Sequence, residues 1–428
     1  MLMDSKVVKV PSLLWEGGRE LELFFPDTWD VHSCPMEGYG DRALGTQELR
    51  EAFLNPIASK TIRRLAEERR EAVILFDDLT RPTKAKEIVP LILEELALGG
   101  IGRDHVRLVA ALGAHGSMNR LDFAKKLGED IVAGYPIYNH NAFGNLEDLG
   151  FTSRGTPVKI NGEVTECDLK IGVGLVVPHP QAGFGGGSKI ILPGISSLET
   201  IAFNHWKVGG YASVSKDKGS NLHPSIGWSK VSGNVIRLDM DEAARMVGLD
   251  VKVDIIVNGL GETTGIFVGE FREAFRKAVE KARKVYGTRM LPQPDIVVAN
   301  TYFKANEATL ALSLAVENVR EGGSVVLIAN APDGQVTHYL YGKFGKRRWG
   351  YVRPPPTSLE KIGRLIVFSE YPIKDPFLPI AEPEEMIWLK RWEEVLEELK
   401  NRHGDRARVA VYPNADAQRP LEELSGTK

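Results

Sequence analysis

The sequence is poor in cysteine: Cys34 and Cys167 are too few for a disulfide framework or a thiolate metal site. No stretch approaches the roughly 20 consecutive apolar residues of a membrane span. The first residues, MLMDSKVVKVPSLLWEGGRE, lack an apolar core of signal-peptide length. A surplus of one charge is missing too, since 54 Lys and Arg stand against 57 Asp and Glu. With no basic excess to neutralise phosphates, neither nucleic acid nor a membrane is an expected partner, and a cytoplasmic protein is the expectation. The one basic cluster, KFGKRR from Lys343 to Arg348, reads as a solvated loop. Internal repeats and low-complexity segments are also lacking.

What is present is the composition of an ordinary globular protein long enough for two or three domains. Short strands are expected at KVVKV, LELFF and WDVHS, then helices at TQELREAFLNP and SKTIRRLAEERR. Strands AVILF, VRLVAAL and CDLKIGVGLVV alternate with helices AKEIVPLILEELALGG and RLDFAKKL, the pattern of parallel βαβ units. Ser196 and Glu199 have capping-box spacing and open a helix at SSLETIAFNHWKV. VKVDIIVNGLGETTGIFVG reads as a strand pair around a Gly-rich turn, and FREAFRKAVEKARKVYG as an amphipathic helix. The prolines of TRMLPQPD mark a linker, after which alternation restarts with DIVVANT, ATLALSLAVENVREGG, SVVLIAN, GRLIVFSE, a long helix MIWLKRWEEVLEELKNR, and RVAVYP. The expectation is an α/β protein of two domains, 1–288 and 289–428, with mostly parallel sheets and an active-site cleft between the domains.

Four polar loops fall at strand ends. In DDLTRPT, Asp78 and Arg81 leave a buried strand together, either as an ion pair or as ligand-binding groups. In ALGAHGSM, small residues leave His115 uncovered. PHPQAGFGGGSKIILPG places His179 upstream of Gly185, Gly186, Gly187 and Lys189. It is no P-loop, because Ser188 precedes Lys189 and IILPG reads as extended, not helical. Glycines still let backbone amides approach an anion or a flat ring, and a lysine beside apolar IIL loses pKa and gains nucleophilicity. The fourth is His205 in IAFNHWKV. Converging imidazoles point to a metal or to proton transfer, with nothing in the spacing to choose between them.

In this order, DDLTRPT, GAHGS, PHPQAGFGGGSKIILPG and AFNHW resemble the nickel-dependent lactate racemase family over roughly residues 5 to 285. The resemblance implies a nickel-pincer nucleotide, a nickel complex of the pyridinium-3,5-bisthiocarboxylic acid mononucleotide type, and cofactor-biosynthesis proteins as partners. It implies that Lys189 forms a thioamide with that cofactor, that His205 ligates nickel, and that His115 and His179 are the catalytic pair. Asp78 and Arg81 match polar residues around cofactor and substrate. The implied reaction is inversion at C2 of a 2-hydroxy acid: one histidine takes the hydroxyl proton as hydride leaves for the cofactor, which avoids a carbanion beside a carboxylate. Two departures stand out. Gly116 follows His115 where relatives often carry arginine. The Gln-x-x-Lys pair of lactate-specific members is missing from NTYFKANEATLALSLA, where Tyr302, Lys304, Asn306 and Glu307 are the polar groups. An acid other than lactate is therefore expected, bound by Arg81, Tyr302, Lys304 and Asn306. The alternatives are a divalent-metal hydrolase or lyase using the same histidines, and a non-catalytic protein that binds a nucleotide or sugar acid.

Overall fold

The computed structural model describes residues 5–210, 222–340, 359–371 and 386–425, and the basic cluster Lys343 to Arg348 lies outside them. Two six-stranded sheets organise the chain. The first runs Thr263–Gly269, Val251–Val257, Leu169–Leu175, Ala72–Phe76, Val106–Ala110, Ile137–Asn139. All its neighbours are parallel except the expected strand pair Val251–Val257 and Thr263–Gly269. The second runs Met386–Leu389, Ile362–Phe368, Gly323–Ile328, Ile296–Asn300, Arg408–Tyr412, Asp30–Ser33, and is parallel throughout. AVILF, LKIGVGL, VKVDIIV, IVVAN and GSVVLI are buried along their whole length. Such continuous apolar runs suit parallel strands covered on both faces.

Segments 1–288 and 289–428 are tied together at both termini. Asp30–Ser33 forms the edge of the second sheet beside Arg408–Tyr412. The hairpin Ser5–Ser12 with Arg19–Pro26 adds Val10, Leu23 and Phe25 to the core beneath that sheet. In return, Arg419–Pro420 pairs with Gly287–Thr288, and Leu421–Ser425 packs on the helix Phe271–Val285.

Three local expectations are corrected. Ser197, not Ser196, caps the helix Leu198–Phe203, accepting from the Thr200 amide at 3.0 Å, while Ser196 donates to the Ile191 carbonyl. MIWL is an edge strand and the helix is confined to Trp392–His403, because a four-residue apolar run fits either period until pairing decides it. IILPG is not extended: Gly187–Ile190 winds into a 3-10 turn that begins the segment. Asp254 takes the Gly187 amide at 3.0 Å and Asp241 the Ser188 hydroxyl at 2.6 Å, which draws the chain inward.

That turn explains two of the three glycines. Gly186 (φ +82°) lies against Val176 and Asp254, and Gly187 (φ +58°) against the Phe275 ring, so a Cβ at either would collide. Arg237, buried on the helix Val235–Val247, donates to the carbonyls of Gly186 and Phe184 and stacks 4.1 Å from the Phe275 centroid. The loop is thus fixed by Asp254, Asp241 and Arg237 of the first half of the chain. Gly186→Ala combines a steric clash with an unfavourable φ and should cost about 1–3 kcal/mol, read as a lower urea midpoint at unchanged m-value.

Candidate active site

In the first sheet the chain order reverses between Ala72–Phe76 and Leu169–Leu175, so the loops leaving these neighbours diverge and open a crevice. The second sheet reverses in the same way between Ile296–Asn300 and Arg408–Tyr412. A cavity of about 390 Å³ lies at the first crevice, and the segment after Ile296–Asn300 contributes Glu307, Thr309, Leu310 and Ser313 to its wall. Asp78, Arg81, His115, His179, Lys189 and His205 all line it, together with Gly185 and Gly186. Gly187 does not, and its amide is taken by Asp254. Tyr302 and Asn306 line a separate cavity of about 60 Å³, the Tyr302 hydroxyl donating to the Leu260 carbonyl at 3.3 Å. Lys304 lines neither; among the described residues its buried ammonium has no hydrogen-bond partner, and burial pulls its pKa down to about 8.

The loop carrying Asp78 and Arg81 is braced from below. Lys126, fully buried on the helix Arg120–Leu127, reaches Asp77 at 2.7 Å and donates to the carbonyls of Asp78 and Arg81 at 2.8 and 2.9 Å. Asp78 faces His115 Nδ1 at 2.6 Å and accepts from the Thr80 amide and hydroxyl. Burial opposes its charge, but His115 and Arg81 outweigh that and hold the carboxyl at about 2. Burial likewise opposes a charged His115, yet Asp78 and Glu307 raise its pKa to about 9. Arg81 donates to Glu307 at 2.7 Å, and Glu307 lies 3.5 Å from His115 Nε2.

The other side of the cavity is uncharged. His179 accepts from the amides of Gln181 and Ala182 on Nδ1, both at 3.2 Å, which puts the proton of the neutral ring on Nε2. Burial, then Lys189 and the neighbouring cations, hold its pKa well below the usual value. The Lys189 amine makes no hydrogen bond or ion pair among the described residues; burial and the nearby Arg237, Arg81 and Lys304 push its pKa far below the ordinary lysine range. His205 sits on a π-helical turn, Asn204–Val208, that continues the helix Leu198–Phe203. Its Nδ1 donates to the Ile201 carbonyl at 3.0 Å, leaving Nε2 as the bare nitrogen, and burial lowers its pKa to about 3. Asn204 is anchored on Asp239, itself held by Thr152 and Thr156.

Some cavity residues were not singled out by the sequence reading. Glu307 was only one polar group among several, and Lys252 was read only as part of a strand, although it is buried in a 2.7 Å pair with Asp254. His338 comes from the second half of the chain, and its ring meets that of His115 at 5.0 Å. No local signal marked it, since what places it is pairing with a residue more than two hundred positions away. Among the described residues, no three His, Cys, Asp or Glu side chains form a group that could hold a metal ion.

Comparison with known proteins follows the same lines. Residues 17–215 match the family described as the lactate racemase N-terminal domain. The chain is 26% identical over 307 residues to a lactate racemase of Thermoanaerobacterium thermosaccharolyticum, covering 70% of this chain and 68% of that one. It is 28% identical over 299 residues to a lactate racemase of Lactiplantibacillus plantarum, covering 68% of each. The fold matches the lactate racemase apoprotein of T. thermosaccharolyticum with a TM-score of 0.73 at 22% identity, over 97% of this chain and 100% of that one. A Thermotoga maritima protein follows, with a TM-score of 0.60 at 18% identity over 88% and 98%.

Because the His115 pKa is raised, its contribution to stability is complete below about pH 6.5 and is lost as pH rises through about 9. His115→Asn should therefore be less stable than the parent by roughly 3 kcal/mol near pH 6. Urea unfolding across a pH series should show that gap closing by pH 10.

Proposed function

We propose, from the match of residues 17–215 to the lactate racemase N-terminal domain family and the similarity to two lactate racemases, that the chain is an isomerase of this family inverting C2 of a 2-hydroxy acid other than lactate, with a nickel-pincer nucleotide as cofactor. The observation that carries this reading is one cavity lined by a charged imidazole at His115 and a neutral one at His179. Inversion needs an acid and a base on either side of one carbon, exchanging duties with direction.

His115 is the acid as it stands: Asp78 fixes Nδ1, and the charged ring presents an Nε2–H that can pass to a carbonyl oxygen. His179 is neutral, but its bare nitrogen is shared with two backbone amides. Base duty therefore begins with the ring releasing those amides and offering a lone pair to the substrate hydroxyl. Arg81, oriented by Glu307 and by the carbonyl and hydroxyl of Thr80, lies where it can polarise the reacting oxygen or hold the carboxylate.

The residues fit the cofactor. His205 has the second-sphere arrangement of a metal-binding histidine, one N–H on a carbonyl and the other nitrogen bare. Lys189 is an unpartnered amine kept uncharged, as a nucleophile must be. When bound, the cofactor supplies a reversible hydride acceptor. These two residues would hold it, and cofactor-biosynthesis proteins would be the partners that load it. An acid other than lactate is favoured by the absence of a Gln-x-x-Lys pair after Ile296–Asn300. The hydrolase or lyase reading has no three-ligand set among the described residues to build on. Mere binding gives no reason for an acid–base pair.

Produced with the cofactor-making machinery, the protein should contain nickel and erase the optical activity of at least one member of a panel of hydroxy and sugar acids. Nickel-loaded protein that inverts none of them would overturn the proposal. Lys189→Ala should abolish added mass on the intact protein, and His205→Ala should lose nickel while its urea midpoint stays in place. In the direction that uses His115 as acid, kcat/KM should fall as pH rises through about 9.

A further inference from the structure

Glu307 occupies an unusual position in the second half of the chain. It is buried, and a buried carboxylate is costly unless paired. Its side-chain partners, Arg81 and His115, both belong to the first half. Its backbone breaks the regularity of the 3-10 segment Ala305–Ala311, with φ −127° and ψ 43°. The Gln335 side chain brackets this kink, donating to the Ala305 carbonyl at 2.8 Å and accepting from the Ala308 amide at 3.0 Å. The same strand of chain then reaches across the cavity. Val336 donates to the Asn306 carbonyl at 2.8 Å, the Thr337 carbonyl accepts from Gly116 at 3.0 Å, and Tyr339 donates to the Ala114 carbonyl at 2.7 Å. One short segment thus clamps the backbone on both sides of Glu307 and on both sides of His115.

We propose that Glu307 is a positioning residue through which the second half of the chain arms the first: clamped by residues 335–339, its carboxylate keeps Arg81 facing the cavity and His115 protonated. The inference rests on the reading of His115 as an acid. The groups facing His115 are few. Asp78 and Arg81 come from the loop after Ala72–Phe76, Glu307 from the segment after Ile296–Asn300, and His338 from the clamp. His338 is held neutral by burial and by the charge on His115 itself, so it adds no competing cation. The 3.5 Å separation between Glu307 and His115 Nε2 exceeds a normal N–H···O bond. The carboxylate can stabilise the charged ring there without claiming the proton, which stays available to an incoming oxygen. Removing the carboxylate leaves Asp78 as the only anion in contact with the ring among the described residues and takes away the ion-pair partner of Arg81.

The test uses the full-length protein without cofactor, labelled with ¹⁵N-histidine, with the His115 ring assigned from His115→Asn and followed by NMR from pH 6 to 10. In Glu307→Gln its midpoint should fall by about one unit, and in Glu307→Asp by less. Gln335→Ala, which changes no charge, should move it in the same direction. A His115 titration that is identical in the parent and in folded Glu307→Gln would overturn the proposal. Should that variant not fold, an unmoved midpoint in both Glu307→Asp and Gln335→Ala would do the same. Loaded enzyme separates the two claims. A shifted ring in a protein that racemises nothing leaves the coupling standing and removes the catalytic reading. Racemisation with an unmoved ring removes only Glu307. In active enzyme, the alkaline limb of kcat/KM should follow the NMR midpoint.

Discussion

Asp78 and His115 meet at 2.6 Å where little water reaches, and each is the largest support for the other's charge. Alone, either ion would be forced toward its neutral form by burial. Much of the surrounding structure keeps that pair in register. Lys126 ties down the backbone of the Asp78 loop from below, with Asp77 as its own counterion. Behind His115, the Gly113 amide donates to the Gly194 carbonyl, so the histidine loop leans on the end of the glycine segment. In front, residues 335–339 close over it. The Gly116 amide donates directly to the Thr337 carbonyl there.

The glycine segment has a different logic from the one its composition invites. Three consecutive glycines look like a cradle for an anion, yet the Gly187 amide is spent on Asp254, and Gly186 and Gly187 are glycine because Val176, Asp254 and Phe275 leave no room. What the cavity receives is the consequence of that packing: Lys189, two residues on, is presented on a turn locked by Arg237 and Asp241. The loop is a rigid mount for an amine.

Much of this was legible in the sequence. Buried five- to seven-residue runs ending in polar loops announced parallel strands with DDLTRPT, His115 and His179 in loops at strand ends, and the strand order brings all three to one crevice. Local chemistry was less secure. Ser196 and Ser197 are adjacent and equally able to cap, and only the fold decides that the second does. MIWL satisfies both periods, and pairing with Ile362–Phe368 makes it a strand. Among the polar residues after Ile296–Asn300, the sequence reading chose Tyr302, Lys304 and Asn306 for the substrate, and it is Glu307 that lines the cavity. Tyr302, Lys304 and Asn306 turn away from the cavity while Glu307 enters it, because a kink bracketed by a glutamine some thirty residues further on sets the direction. Side-chain direction in a broken 3-10 segment has no period to read.

The cavity ends up electrostatically divided. On one side Asp78, Arg81, His115 and Glu307 form a fully ionised array of two anions and two cations, with contributions from both halves of the chain. On the other, Lys189, His179 and His205 all come from the first half, and burial together with the cations already present, Lys304 of the second half among them, lowers their pKa values. The division follows from supply of counterions. Where carboxylates are available, burial is overruled and imidazole is charged. Where none approaches within contact, the same burial leaves amines and imidazoles as lone-pair donors. A site that must move protons and also grip an electrophilic ligand needs both states of nitrogen within a few ångströms. This chain obtains them by delivering Glu307 to one side only.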